Sequence, residues 1–205
     1  MGETILTSFI GAVLALYLNY YYDQHKEKTE LELIRLGLLD IFKINILPSL
    51  KILSLQHDEV VSKKENEKTT FIISHSFIHF LDIDFQNYLD KNKVLSILGE
   101  KKIKPSLLYN IHKNLIYLKN NNTRNIMIDF QKEENIILGE YNNKISHINL
   151  LDVHHNKYSE LKFELDKKNY EIDRLNAKTI SELNTTSTIL NLTINMIEEI
   201  IASLK

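Results

Sequence analysis

Apolar residues recur every three to four positions along most of the chain, and no stretch alternates with period two for long enough to form a strand. The pattern predicts an all-α protein. The first element differs from the rest. From Thr4 to Tyr22 there is no charged side chain, and Glu3 and Asp23 bracket the run. As a helix it measures about 28 Å at ~1.5 Å per residue, close to a ~30 Å hydrocarbon core. Tyr17, Tyr20, Tyr21 and Tyr22 crowd its end, where amphipathic rings favour a headgroup layer. A cleaved signal peptide would want a basic start and small residues at the cleavage site, and the chain has neither. The expectation is a single transmembrane anchor over residues 1–23 and a cytosolic helical bundle over 24–205. Lys26, Lys28, Arg35 and Lys43 follow the span, so the positive-inside bias puts the N-terminus outside and the body in the cytoplasm of an inner-membrane protein.

On a helical wheel, Thr4, Ser8, Gly11, Ala12, Ala15 and Asn19 share one sector of roughly 100°, while large side chains occupy the remainder. Small residues let helix backbones approach, and an amide in hydrocarbon needs a partner or water. The stripe Ser8, Gly11, Ala12, Ala15 and Asn19 therefore predicts packing between spans of a homo-oligomer, or a lumen among them.

Beyond the span, Leu31, Ile34, Leu38, Ile41 or Phe42, and an apolar residue near position 45 keep helical spacing. Pro48 should end or kink that helix near Leu47, with a short segment to Leu55 after it. His57 to Lys68 is charged and poor in apolar residues, which reads as a loop, and its His57-Asp58 pair lacks the further ligands of a metal motif. Helices are expected over 70–91 and 93–98, the latter stopped by Gly99. Pro105 opens another, halted by Asn120-Asn121-Asn122, and Asn122 or Thr123 caps the next, with an interruption allowed at Gly139. Tyr158 to Leu204 is nearly heptad-like. Tyr158, Leu161, Leu165, Ile172 and Leu175 hold one register, broken at Lys168. Ile180, Leu183, Ser187, Leu190, Ile194, Ile197, Ile201 and Leu204 hold a second.

Candidate chemistry is sparse. The chain has no Cys, a net charge of -2 and no phosphate-cradling glycine loop, which removes thiol catalysis, Cys-based zinc sites and a general drive toward nucleic acid. His75, His79 and Asp82 share one helical face that a metal could use, yet a solvated polar face accounts for them. Asp152, His154 and His155 suit capping at a helix end better than ligation. Lys101, Lys102 and Lys104 have no interleaved aromatic residues. None of Arg35, Arg124 and Arg174 is followed by a His with four to six residues between them, the spacing helical HEPN nucleases carry. No catalytic residue, cofactor, metal or small-molecule substrate is expected.

The span Thr4–Tyr22, its small-residue stripe and the missing Arg/His pair resemble the small membrane pore accessory proteins of type VI-B CRISPR systems and similar single-span helical antiviral effectors. That resemblance implies a degenerate HEPN-like body, a ring-shaped homo-oligomer in the lipid bilayer, and membrane permeabilisation triggered by a cytosolic protein or ribonucleoprotein. The alternative is a membrane-tethered scaffold or sensor whose body docks a cytosolic partner.

Overall fold

The computed structural model describes residues 2–66, 91–149 and 155–205, with side chains over 14–66, 91–146 and 159–205. Among the described residues every element is a helix and there is no strand. They are α1 (Gly2–Asp40), a π-helical turn (Ile41–Ile46), α2 (Leu47–Asn66), α3 (Lys91–Glu100), α4 (Pro105–Asn120), α5 (Thr123–Asn149) and α6 (His155–Leu204). Of the expected helix over 70–91, residues 70–90 lie outside the described residues, and Lys91 opens α3.

The first three elements form one uninterrupted rod, roughly 95 Å long at ~1.5 Å per residue. Pro48 does not end it. The reason is a hydrophobic run in strict steps of four: Ile34, Leu38, Phe42, Ile46 and Leu50, with the last four at most 1% exposed. In an α-helix each step of four overshoots a full turn by about 40°, so the run would wind off the core face. The π-turn absorbs that drift, with the Leu47 amide donating to the Phe42 carbonyl five residues back. It also widens the backbone just before Pro48, where an α-turn would drive the proline ring into the Ile44 carbonyl. Ser49 Oγ donates to the neighbouring Asn45 carbonyl at 2.7 Å. His57 to Asn66 is not a loop but the second half of α2, because Leu50, Leu53, His57, Val60 and Lys64 keep a buried 3–4 spacing.

α6 is the spine of the body, and α2, α4 and α5 all pack along it. It runs antiparallel to the rod: Arg35 reaches Leu204, Lys51 pairs with Glu198 at 2.7 Å, and His57 meets Leu183. Its buried seam has a seven-residue repeat, Leu183, Leu190, Ile197 and Leu204, alternating with Thr179, Thr186, Thr193 and Ile200. Ile180 and Ile194, expected in the seam, lie one position past Thr179 and Thr193 and are only half-buried, whereas Ile201 is buried as expected, beside Ile200. Buried threonines are tolerated because their hydroxyls are satisfied. Thr179 and Thr193 donate to the carbonyls of Leu175 and Ile189 (2.9 and 2.6 Å), and Thr186 donates across to Asn121 at 3.3 Å. In the earlier part of α6, Lys168 is half-buried within the register rather than breaking it.

The remaining boundaries follow local rules. Pro105 stands at the first turn of α4, and Asn122 Oδ1 accepts from the Asn125 amide at 2.9 Å to cap α5. Gly139 interrupts nothing, since a single glycine weakens a packed helix without breaking it. α3 does not stop at Gly99 but at a Schellman turn. There Ile103 N–H donates to Leu98 at 2.8 Å, Lys102 N–H donates to Gly99 at 3.1 Å, and Lys102 itself takes φ 55°.

Among the described residues, no helix is long and apolar enough to cross a membrane. Of the uncharged run only Leu14 to Tyr22 have described side chains, and α1 continues past it as a charged helix to Asp40.

Candidate functional site

Two regions stand apart from an ordinary helical core. The first is the free half of α1. Every side chain from Leu14 to Thr29 is exposed, and body contacts begin only near Glu30. Leu14, Leu16, Tyr17, Leu18, Tyr20, Tyr21 and Tyr22 are each 54–70% exposed, so the apolar surface faces outward on all sides of the helix. Ala15 and Asn19 lie on this exposed length, whereas the side chains of Ser8, Gly11 and Ala12 lie outside the described residues. Two contacts hold the base of the helix to the body. Glu30 pairs with Lys93 of α3 at 2.5 Å, and that hydrogen bond holds its carboxyl below the usual carboxylate range. Arg35, clamped by Glu32 at 2.5 Å, donates to the carbonyl of Leu204.

The second region is a set of buried polar groups at the end of the body away from α1. His57 is fully buried, and its Nε2 lies 2.9 Å from the Leu183 carbonyl. A carbonyl only accepts, so Nε2 carries the proton. In the neutral ring Nδ1 then accepts from the Thr123 hydroxyl at 2.7 Å. One side chain thereby joins α2, α5 and α6. Burial pushes the imidazole below its ordinary value, against the opposing pull of the Leu183 carbonyl and Asp58. Seven residues along α2, Lys64 is 2% exposed, with its ammonium 3.4 Å from the centre of the Phe130 ring. Burial lowers the Lys64 amine and raises the Glu134 carboxyl, and the charge of each offsets part of the other's shift. Seven residues back along the antiparallel α6, level with Lys64, stands Asn176. It is 7% exposed, with neither amide atom hydrogen-bonded.

The residues singled out for chemistry do not converge here. His75, His79 and Asp82 lie outside the described residues, as do Asp152, His154 and the side chain of His155. Among the described residues no group of His, Asp and Glu is placed to hold a metal ion. His57 is a core histidine and not part of a surface loop. The signal was present in the 3–4 spacing from Leu50 to Lys64, where His57 and Lys64 occupy positions that apolar residues fill elsewhere. In comparisons with known proteins, no family model, no curated protein and no solved structure matches this chain.

Proposed function

We propose that the chain is a membrane-anchored, homo-oligomeric effector without enzymatic activity, whose first helix enters a lipid bilayer as a single span, N-terminus out, and whose helical body stays in the cytoplasm. One observation carries the reading: α1 leaves the body as a helix whose uncharged length from Leu14 to Tyr22 is bare on every side. Apolar surface of that extent calls for cover. A bilayer covers all sides of a helix at once, whereas a protein groove covers one. The tyrosines then sit at headgroup level, and the charged neck from Asp23 to Glu30 stands in water. In this reading Ser8, Gly11, Ala12, Ala15 and Asn19 face neighbouring copies or a lumen. The action is disturbance of membrane integrity in prokaryotic antiviral defence, as the resemblance implies.

The test is fractionation and membrane potential. Full-length protein should stay in the membrane pellet through alkaline carbonate, a variant lacking residues 1–22 should not, and cells expressing the full chain should lose a potential-sensitive dye signal. Release of the intact chain by carbonate would overturn the anchor. An unchanged potential would overturn the effector and leave the tethered scaffold. One feature favours that second reading. Past the end of α2, α5 and α6 continue as an antiparallel pair, joined by Lys144 and Glu164 at 3.4 Å, on which Phe163 and Tyr170 are 66% and 69% exposed at heptad spacing.

A further inference from the structure

We infer that the end of the body away from α1 is an acid-released clasp, in which protonation of His57 opens the α2–α5–α6 junction while the apolar end nearer α1 stays closed. The two ends of one core are built differently. Near α1 the packing is aliphatic and aromatic, with Leu38, Phe42, Ile46, Ile197, Ile200 and Leu204 all at most 1% exposed. Away from α1, each of the three helices places polar groups inside: His57 and Lys64 from α2, Thr123 and Glu134 from α5, Asn176 from α6. Such a layer is held by its hydrogen bonds and charges more than by apolar packing, and Asn176 adds no hydrogen bond to it.

His57 is the member whose partners depend on its charge. As a neutral ring it donates once and accepts once, and both bonds are made. A proton on Nδ1 turns that acceptor into a donor facing Thr123 Oγ1. The hydroxyl must then turn its own hydrogen toward a new acceptor at a position 1% exposed. Thr123 is also the first residue of α5, where the peptide dipoles present positive charge to an imidazolium. The charged neighbours are Asp58 on α2, Arg124 in the first turn of α5 and Glu182 beside Leu183 on α6, all exposed. Of these, Asp58 favours the charged ring, and burial outweighs it. The proton is therefore taken up when the junction opens. Release of α5 would uncover Val60, Met127 and Phe130, which are buried in the structure.

The sign is fixed by linkage. A histidine whose value is depressed in the folded state gives stability that is complete above the free value of about 6.5 and is lost as pH falls below it. Hydrogen exchange on the full-length protein at pH 7.5 and 5.5, corrected for intrinsic rates, reads this by region. Opening of amides in 57–64 and 124–134 should rise about tenfold for one proton taken up, while amides in 190–204 keep their protection. His57→Gln, which retains a donor toward Leu183, should abolish the rise. Unchanged protection, an equal loss at both ends, or a tenfold rise that persists in the variant would each overturn the clasp. If the variant does not fold, the regional contrast in the wild type decides alone.

Discussion

The guanidinium of Arg35 donates to the carbonyl of Leu204, so the helix that leaves the body is tied to the last turn of the helix that ends it. Leu204 carries one of the carbonyls that a helix terminus leaves without an intrahelical donor, and a cation there also meets the negative end of the dipole. Glu32, one turn before Arg35, holds the fork in place through two bonds of 2.5 and 2.8 Å. Arg35→Gln should lower Tm by about 3 °C and increase exchange in the final turn of α6. Glu32→Gln should give a smaller change of the same kind. Equal exchange at residues 200–204 in both variants and the wild type would show that the contact holds nothing.

The π-turn makes a prediction that few helices permit. Deleting Ile44, which is 63% exposed, leaves Ile46 three positions after Phe42 instead of four, so both core faces stay aligned in a plain α-helix. Pro48 must change as well, since an α-turn would bring back its clash with a carbonyl. The deletion combined with Pro48→Ala should therefore keep an unfolding free energy within about 1 kcal/mol of wild type, or above it. Deleting Leu55 from the regular part of α2 is the control. It turns His57, Val60 and Lys64 off the core and should cost several kcal/mol, on the order of two buried side chains. Denaturant unfolding monitored by helical circular dichroism compares them. Similar losses in the two deletions would contradict the account of the π-turn.

How far the fold can be read from the residues depends on which signal carries each part. Apolar spacing of three to four is redundant over ten or more residues, so α4, α5 and α6 were legible, as were the Pro105 start and the Asn122 cap. Signals resting on one residue were misread. Pro48 looks like a stop because its usual effect is local, yet the run Ile34-Leu38-Phe42-Ile46-Leu50 already encodes the wider turn that admits it. His57 looks like loop chemistry because polarity says surface, whereas its neighbours' spacing says core. In α6, hydrophobicity pulls the predicted seam toward Ile180 and Ile194, although the seven-residue repeat anchored at Leu183 places threonines inside. No local pattern announces that His57 and Thr123, 66 positions apart, share a hydrogen bond.

Lys102 closes the Schellman turn of α3 in a left-handed conformation, with Ile103 7% exposed and Leu98 fully buried beside it. A Cβ in that region costs roughly 1 kcal/mol, which glycine avoids. Lys102→Gly should raise stability by about that amount. Lys102→Val, branched at Cβ, should lower it by more than 1 kcal/mol. A destabilising glycine here would mean that the lysine side chain supplies a contact worth more than its backbone strain.

Lys64 and Glu134 make the sharpest case, because charge and packing predict different rankings. Both are buried, and the charge of each offsets part of the other's loss of solvent. Removing one partner leaves the other charge in a site that disfavours it, so Lys64→Met and Glu134→Gln should each cost about 1–3 kcal/mol. Replacing both with apolar residues of similar length removes the two desolvation penalties together. Lys64→Met with Glu134→Leu should therefore be close to neutral or stabilising, and less costly than either single change. The glutamate variants also separate pairing from the contact with Phe130, since Glu134→Gln leaves the ammonium 3.4 Å from that ring. Its cost should fall as pH rises and the Lys64 amine gives up its proton, whereas Lys64→Met should be eased at low pH, where Glu134 is protonated. Additive costs in the double variant, with no pH dependence in either single one, would show that the pair does not interact.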